Sequence, residues 1–376
     1  MSDAANSIYP IYASYFGRVK AKPGASVAAA IVIAFNNTFS NRLATRPNAT
    51  DATRPELSES QLNFYLNNVA NFTADQLNRI QDSPKNIRHG IDVGVNIAKM
   101  VINARANDGY LTVVPVIAPP CNKIGLWCPE DSFTGAYSPA GLPAAQIAEQ
   151  KPFAMKSPSE FRVVPPLNPA SDDFLYNLNI TYLFGGQNSL YRTAESSNQA
   201  FWWAQSGAHA VTSRLFDAIV TNGNMLLSLH DTARKLALVL ASVGDAFIAN
   251  SDSKKRYLAW RPFQAIHYYI DPTWKPYLPT PGNPEYPAGH PQVTGAGAAA
   301  LRLVFKYDKF PCPITIPNSN TNPLTQTFVS LTNVMEDVIE ARVKGGMHLP
   351  SSGSIAVQYG TLIAQNVHKS LLPVLK

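Results

Sequence analysis

Eleven prolines fall between Val114 and Ser171, at positions 115, 119, 120, 129, 139, 143, 152, 158, 165, 166 and 169. Each removes a backbone N–H donor and clashes with the preceding helical turn, so no long regular helix can form there. The chain must therefore fold as helical segments on either side of a long irregular insertion. Such a stretch inside a compact chain is usually functional or wrapped over a surface, and this one is expected to cover the mouth of a site.

Outside the insertion, apolar residues recur at helical spacing. The pattern predicts helical segments over Ser26–Ala44, Ser58–Gln81 and Ile87–Ala106. Beyond the insertion it predicts Ser196–Thr221, Asn224–Asn250, Lys254–Tyr269, Pro291–Phe305, Leu324–Lys344 and Ser352–Leu371. Ser58-x-x-Gln61 has the form of a capping box, and Ser83-Pro84 that of a helix start. Alternating β patterns are scarce, and no internal repeat or heptad seam occurs. The expected fold is mainly α, a helical bundle with a Pro-rich irregular insertion.

The 376 residues are 45% hydrophobic, enough for a sizeable core without staples. A net charge of +6 without a dense Lys/Arg run argues against a nucleic-acid surface and suits an anionic ligand. The longest apolar run, Val27 to Phe35, is far too short to span a bilayer. No signal peptide is visible. Asn-x-Ser/Thr sequons at Asn36, Asn48, Asn71 and Asn179 are compatible with secretion. Cys121 and Cys128 bracket a Pro-flanked loop and either pair in an oxidising compartment or stay as thiols, leaving Cys312 free. No second Cys/His pair has zinc-ligand spacing.

Three separated clusters carry the chemistry. They are Lys254-x6-Arg261-Pro262, Tyr286-Pro287-Ala288-Gly289-His290 and Arg342-x5-His348. Alone, each has a plain explanation. Lys254 and Arg261 on one helix face would read as a solvated surface, and His348 after Gly345-Gly346 as a residue at a helix end. Together, three permanent cations on converging helices would repel one another unless an anion sat between them. Arginine forks suit a tetrahedral oxyanion, and lysine adds a point charge. Gly289, ahead of a helical segment, lets a backbone N–H approach an oxygen closely. The two histidines supply a nucleophile or metal ligand and a proton carrier.

In order and spacing these clusters resemble the Lys-x6-Arg-Pro, Pro-Ser-Gly-His and Ser-Arg-x5-His pattern of vanadium haloperoxidases and type 2 phosphatidic-acid-phosphatase-like enzymes. Trp260-Arg261-Pro262-Phe263-Gln264-Ala265-Ile266, Asp271-Pro272-Thr273-Trp274, Leu278-Pro279-Thr280-Pro281 and Lys151-Pro152-Phe153 are similar to the bacterial-type haloperoxidase-like branch. The likeness covers roughly Lys151 to Gly360. It implies a single haloperoxidase-like helical domain over 1–376, with N-terminal helices in 1–113, the insertion in 114–171 and the core with the oxyanion site in 172–376.

The resemblance also implies roles. Vanadate, or phosphate in the same place, would be bound by Lys254, Arg261, Gly289, His290, Arg342 and His348, with His348 the metal ligand. His290, His348 and Lys254 would be catalytic, His290 as acid/base. The implied reaction is halide oxidation by hydrogen peroxide to hypohalous acid, which halogenates a small organic substrate, with bromide the expected halide. The alternatives are a soluble acid phosphatase and a haloperoxidase-like protein without halogenating activity. A secreted or extracytoplasmic setting and a symmetric homodimer are the default expectations.

Departures from the family pattern stand out. Ala288 and Ala341 replace the two serines, and Ser352 takes the place where phosphatases often carry Asp. Asn283 lies near the position associated with halide preference and leaves the halide unassigned. Glu195 is a candidate orienting carboxylate for His290, with a surface acid at a helix start the favoured reading. His209, His230 and His267 read as structural histidines.

Overall fold

The computed structural model describes residues 1–45, 58–223, 225–318 and 324–375. These form twelve α-helices and one two-stranded sheet, the mainly α architecture expected. The contacts divide the chain into two compact units, one of residues 1–113, 226–238 and 368–376, the other of residues 114–225 and 239–367.

The first unit holds α1 (Ser2–Ile8), α2 (Val27–Ala44), α3 (Glu59–Asn78) and α4 (Pro84–Arg105). Their starts follow from local chemistry. The Ser26 side chain accepts from the Ala29 N–H, Ser58 and Gln61 complete the capping box, and Pro84 occupies the first turn behind Ser83. Helices α2 and α4 approach closely because α4 carries Gly90, where a Cβ would lie 2.3 Å from the Ser26 carbonyl oxygen. Sequons at Asn36, Asn71 and Asn179 fall inside helices, and Asn48 lies outside the described residues.

The second unit contains α5 (Asp172–Gly185), α6 (Ala194–Gln205), α7 (Ala208–Asn222), most of α8 (Leu229–Tyr257), α9 (Pro262–Tyr269), α10 (Gly289–Phe305), β1 (Lys309–Pro317), β2 (Thr325–Ser330), α11 (Leu331–Lys344) and most of α12 (Pro350–Ser370). Helix α10 is buried on nearly every side, as its Gly295-Ala296-Gly297-Ala298-Ala299-Ala300 run allows. Neighbours can come close only because these positions are small. A Cβ on Gly297 would meet Thr212 Oγ1 of α7 at 2.2 Å, and one on Gly295 would meet Val357 of α12 at 2.9 Å.

Four expectations are corrected. Helix α5 was not signalled by periodicity; Ser171 caps it, with Asp172 and Asp173 in its first turn. The predicted segment Ser196–Thr221 divides at Ser206-Gly207 into α6 and α7. Leu324–Lys344 is helical only from Leu331, because the β-branched, threonine-rich Thr325–Ser330 pairs antiparallel with β1, Ile314 opposite Phe328. Finally, α8 runs through Lys254 to Tyr257, the chain turns at Leu258 (φ 45°), and a new helix starts at Pro262. Lys254 and Arg261 therefore do not share a helix face.

The Pro-rich insertion is strapped along α8. Asp245, fully buried, accepts from the N–H groups of Phe153, Ala154 and Met155 at 2.6, 2.8 and 3.1 Å. Arg162 makes a two-pronged pair with Asp252 at 2.7 and 2.8 Å, and the Tyr257 hydroxyl donates to the Val163 carbonyl. Cys121 and Cys128 are disulfide-bonded and Cys312 is free and exposed. No described helix is long and apolar enough to cross a membrane.

Candidate active site

A cavity of about 420 Å3 opens in the second unit, and Lys254, Arg261, Gly289, His290, Arg342 and His348 all line it. Each arrives at an element end. Lys254 lies in the last turn of α8, Arg261 is the N-cap residue of α9, and Gly289 and His290 open α10. Arg342 lies in the last turn of α11, and His348 follows the turn Gly345-Gly346-Met347. Gly346 has φ 78° and a Cβ there would lie 2.5 Å from the Gly185 carbonyl oxygen, so only glycine fits this turn. The unpredicted helix α5 braces it, since the Thr181 hydroxyl donates to the His348 carbonyl at 3.1 Å. Residues 142–145 and 147 of the insertion form one wall of the cavity.

The cations are buried and unevenly paired. Arg261 donates through Nε to the Asn283 carbonyl at 2.6 Å, through Nη2 to Asn283 Oδ1 at 3.0 Å and through Nη1 to the Met347 carbonyl at 2.7 Å. Lys254 Nζ donates to the carbonyls of Pro284 and Glu285. Arg342 is 3% exposed, and its buried Nε has no hydrogen-bond partner among the described residues. Burial disfavours the charged form of all three: Lys254 is held well below its usual range, Arg261 falls to about 9 and Arg342 to about 10.

Both histidines are neutral here. Burial, reinforced by the nearby cations, pushes His348 well below its ordinary value. His290, on the cavity wall, is lowered to about 3 by burial and then by Arg342. Its Nε2 donates to the Ser206 carbonyl at 3.1 Å, leaving Nδ1 as an acceptor. Glu195, the candidate for that role, is instead exposed in the first turn of α6, as the favoured reading of a surface acid has it. The carboxylate the sequence reading missed is Glu285, 3% exposed, whose Oε1 lies 3.0 Å from His348 Nδ1. An acid just ahead of Tyr286-Pro287-Ala288-Gly289-His290 was the available signal. His230 and His267 bond the backbone carbonyls of Ala5 and Trp274, as structural histidines do.

These residues fit a tetrahedral oxyanion such as vanadate. Among the described residues, Glu285 is the buried acid that acts on Lys254 and Arg261, so with Arg342 the cage carries excess positive charge. Arg342 Nε is an orphan donor. The N-terminus of α10 has no side-chain cap, because its N-cap residue is Ala288, and its backbone donors are available to an anion. A Cβ on Gly289 would sit in ordinary contact with Asn250 Oδ1 at 3.4 Å and Lys254 Cε at 4.0 Å, so glycine leaves the space beside the Lys254 stem open.

Residues 234–375 match the family model of the VCPO second helical-bundle domain. The whole chain superposes on a solved bacterial vanadium-dependent iodoperoxidase, described as the first of its kind, with a TM-score of 0.80 at 19% identity, covering 100% of this chain and 89% of that one. A holo-type bacterial vanadium-dependent chloroperoxidase gives a TM-score of 0.74 at 17% identity, covering 98% of this chain and 88% of that one. At such identities the likeness is one of fold. No curated protein matches the chain by sequence.

Proposed function

We propose that this chain is a member of the vanadium haloperoxidase superfamily and a vanadate-dependent haloperoxidase that oxidises halide, bromide foremost, with hydrogen peroxide. The overall conversion is halide plus peroxide plus a proton to hypohalous acid and water. The acid then halogenates a small organic substrate. The observation that carries the reading is the buried Arg342, its Nε without a hydrogen-bond partner among the described residues, beside Arg261, Lys254 and a neutral His348 in one cavity.

Bound vanadate supplies a Lewis acid of constant oxidation state that activates peroxide toward halide. Lys254, Arg261, Arg342 and the Gly289 N–H would neutralise its oxygens, and His348 would ligate it through Nε2. His290 would take a proton from hydrogen peroxide at Nδ1, the ring atom left free by the Ser206 contact. The Cys121–Cys128 disulfide supports an oxidising, extracytoplasmic setting.

The test is bromination of an activated dione dye by peroxide and bromide, on vanadate-stripped protein with and without added orthovanadate. Turnover that requires vanadate supports the peroxidase. Vanadate-inhibited hydrolysis of a phosphomonoester, with no bromination, would instead mean that the cage serves phosphoryl transfer.

Ala288 offers a gain-of-function check. It is fully buried and ends without a hydroxyl where the family pattern has serine. One hydrogen bond to a charged oxygen contributes about 1.5–3 kcal/mol. Ala288→Ser is expected to tighten vanadate binding about tenfold or more in a direct titration and to raise turnover. An unchanged affinity with a higher Tm would show the new hydroxyl capping α10 instead.

A further inference from the structure

Three cage groups converge on one short segment, Asn283-Pro284-Glu285. Asn283 supplies its carbonyl and Oδ1 to Arg261, and the carbonyls of Pro284 and Glu285 accept from Lys254 Nζ. The Glu285 side chain turns the other way, to His348 Nδ1 at 3.0 Å and to the Leu349 N–H at 3.1 Å, both through Oε1. The Glu285 N–H donates to the Ala259 carbonyl at 2.9 Å, pinning the segment to the junction between α8 and α9.

The two nitrogens of His348 face partners of opposite kind. Arg261 Nη1 lies 3.1 Å from Nε2, and a guanidinium can only donate. Nε2 must therefore accept, and the proton of the neutral ring must sit on Nδ1. Nδ1–H in turn requires an acceptor, and Glu285 Oε1 is the atom in place. The Leu349 N–H, aimed at the same oxygen, also demands an acceptor there.

We infer that Glu285 is a positioning residue: its carboxylate holds His348 in the Nδ1–H tautomer and keeps the Nε2 lone pair on the cavity side of the ring, facing Arg261 Nη1. The rest of its segment fixes Lys254 and Arg261 around the same point. This inference rests on the oxyanion-site reading above and deepens it by naming the carboxylate on which the ligating histidine depends. Carboxylates in this relation to a metal-bound histidine orient the ring and raise its basicity, and their loss typically lowers metal affinity about 10–100-fold. The buried Ser352, at the phosphatase Asp position, has no carboxylate to offer.

The test combines long-range 1H–15N NMR of the His348 ring in vanadate-free, full-length protein with orthovanadate titration of wild type, Glu285→Gln and Glu285→Leu. Wild type and Glu285→Gln should both show the Nδ1–H tautomer, because an amide oxygen still accepts. Glu285→Leu should weaken that tautomer preference to what the Arg261 contact alone sustains and bind vanadate about 10–100-fold more weakly, with Glu285→Gln recovering most of the affinity. An Nε2–H ring in wild type, or a Glu285→Leu protein with unchanged tautomer and affinity, overturns the inference. Should Glu285→Leu not fold, the wild-type and Glu285→Gln spectra still decide the tautomer. A wild-type protein with the Nδ1–H ring that binds no vanadate sinks the oxyanion reading while leaving the Glu285–His348 assignment standing.

Discussion

His348→Ala protein is expected to retain no vanadate after gel filtration and to show no vanadate-dependent bromination above background. The reason is geometric and electronic. His348 is the neutral nitrogen donor whose Nε2 faces the cage, and burial with the surrounding cations keeps it unprotonated. Removing it also leaves Glu285 buried without its ring partner and Arg261 Nη1 without one of its two acceptors. The three cations and the Gly289 N–H remain, so the variant should still bind phosphate, more weakly, by calorimetry. Vanadate retention or bromination equal to wild type in His348→Ala would remove this residue as the ligand and the proposed chemistry with it.

His290→Ala should separate binding from turnover. Vanadate is expected to bind within a few-fold of wild type, because His290 adds no permanent charge to the cage. The rate should nevertheless fall about 10²–10⁴-fold, the usual contribution of a positioned proton carrier. Ligand-free His290 is neutral because burial and Arg342 disfavour its cation. An oxyanion beside Arg342 would offset that cation and bring the His290 pKa back toward the ordinary range, which suits a group that takes up and returns a proton. Paired measurements of vanadate affinity and steady-state rate check this. A loss of affinity that accounts for the whole rate loss would make His290 a binding group and leave the proton transfer to another residue.

Much of this protein is legible in its residues alone. The helical periodicity, the capping residues Ser26, Ser58 and Ser83, and the proline run between Val114 and Ser171 are local signals, so α2, α3, α4 and the irregular insertion follow from neighbours a few residues apart. The three cation and histidine clusters were equally legible, since their internal spacings are written within short segments. Helix α5 and strand β2 were not, because each is settled by what it packs on. Thr181 and Gly185 of α5 serve the His348 turn, and β2 exists only opposite β1.

Sequence by itself thus determined the helical class, the place of the insertion and six of the residues that line the cavity. Tertiary structure decided which acceptors those residues meet. Glu285 rather than Glu195 reached a histidine, Ser206 offered His290 only a backbone oxygen, and Arg342 was left with an unpaired donor. Such pairings join residues 63 and 84 positions apart, and hydrogen bonds and burial are functions of distance in space. No local pattern encodes them, so the protonation states that would govern the chemistry emerge only once the chain has folded.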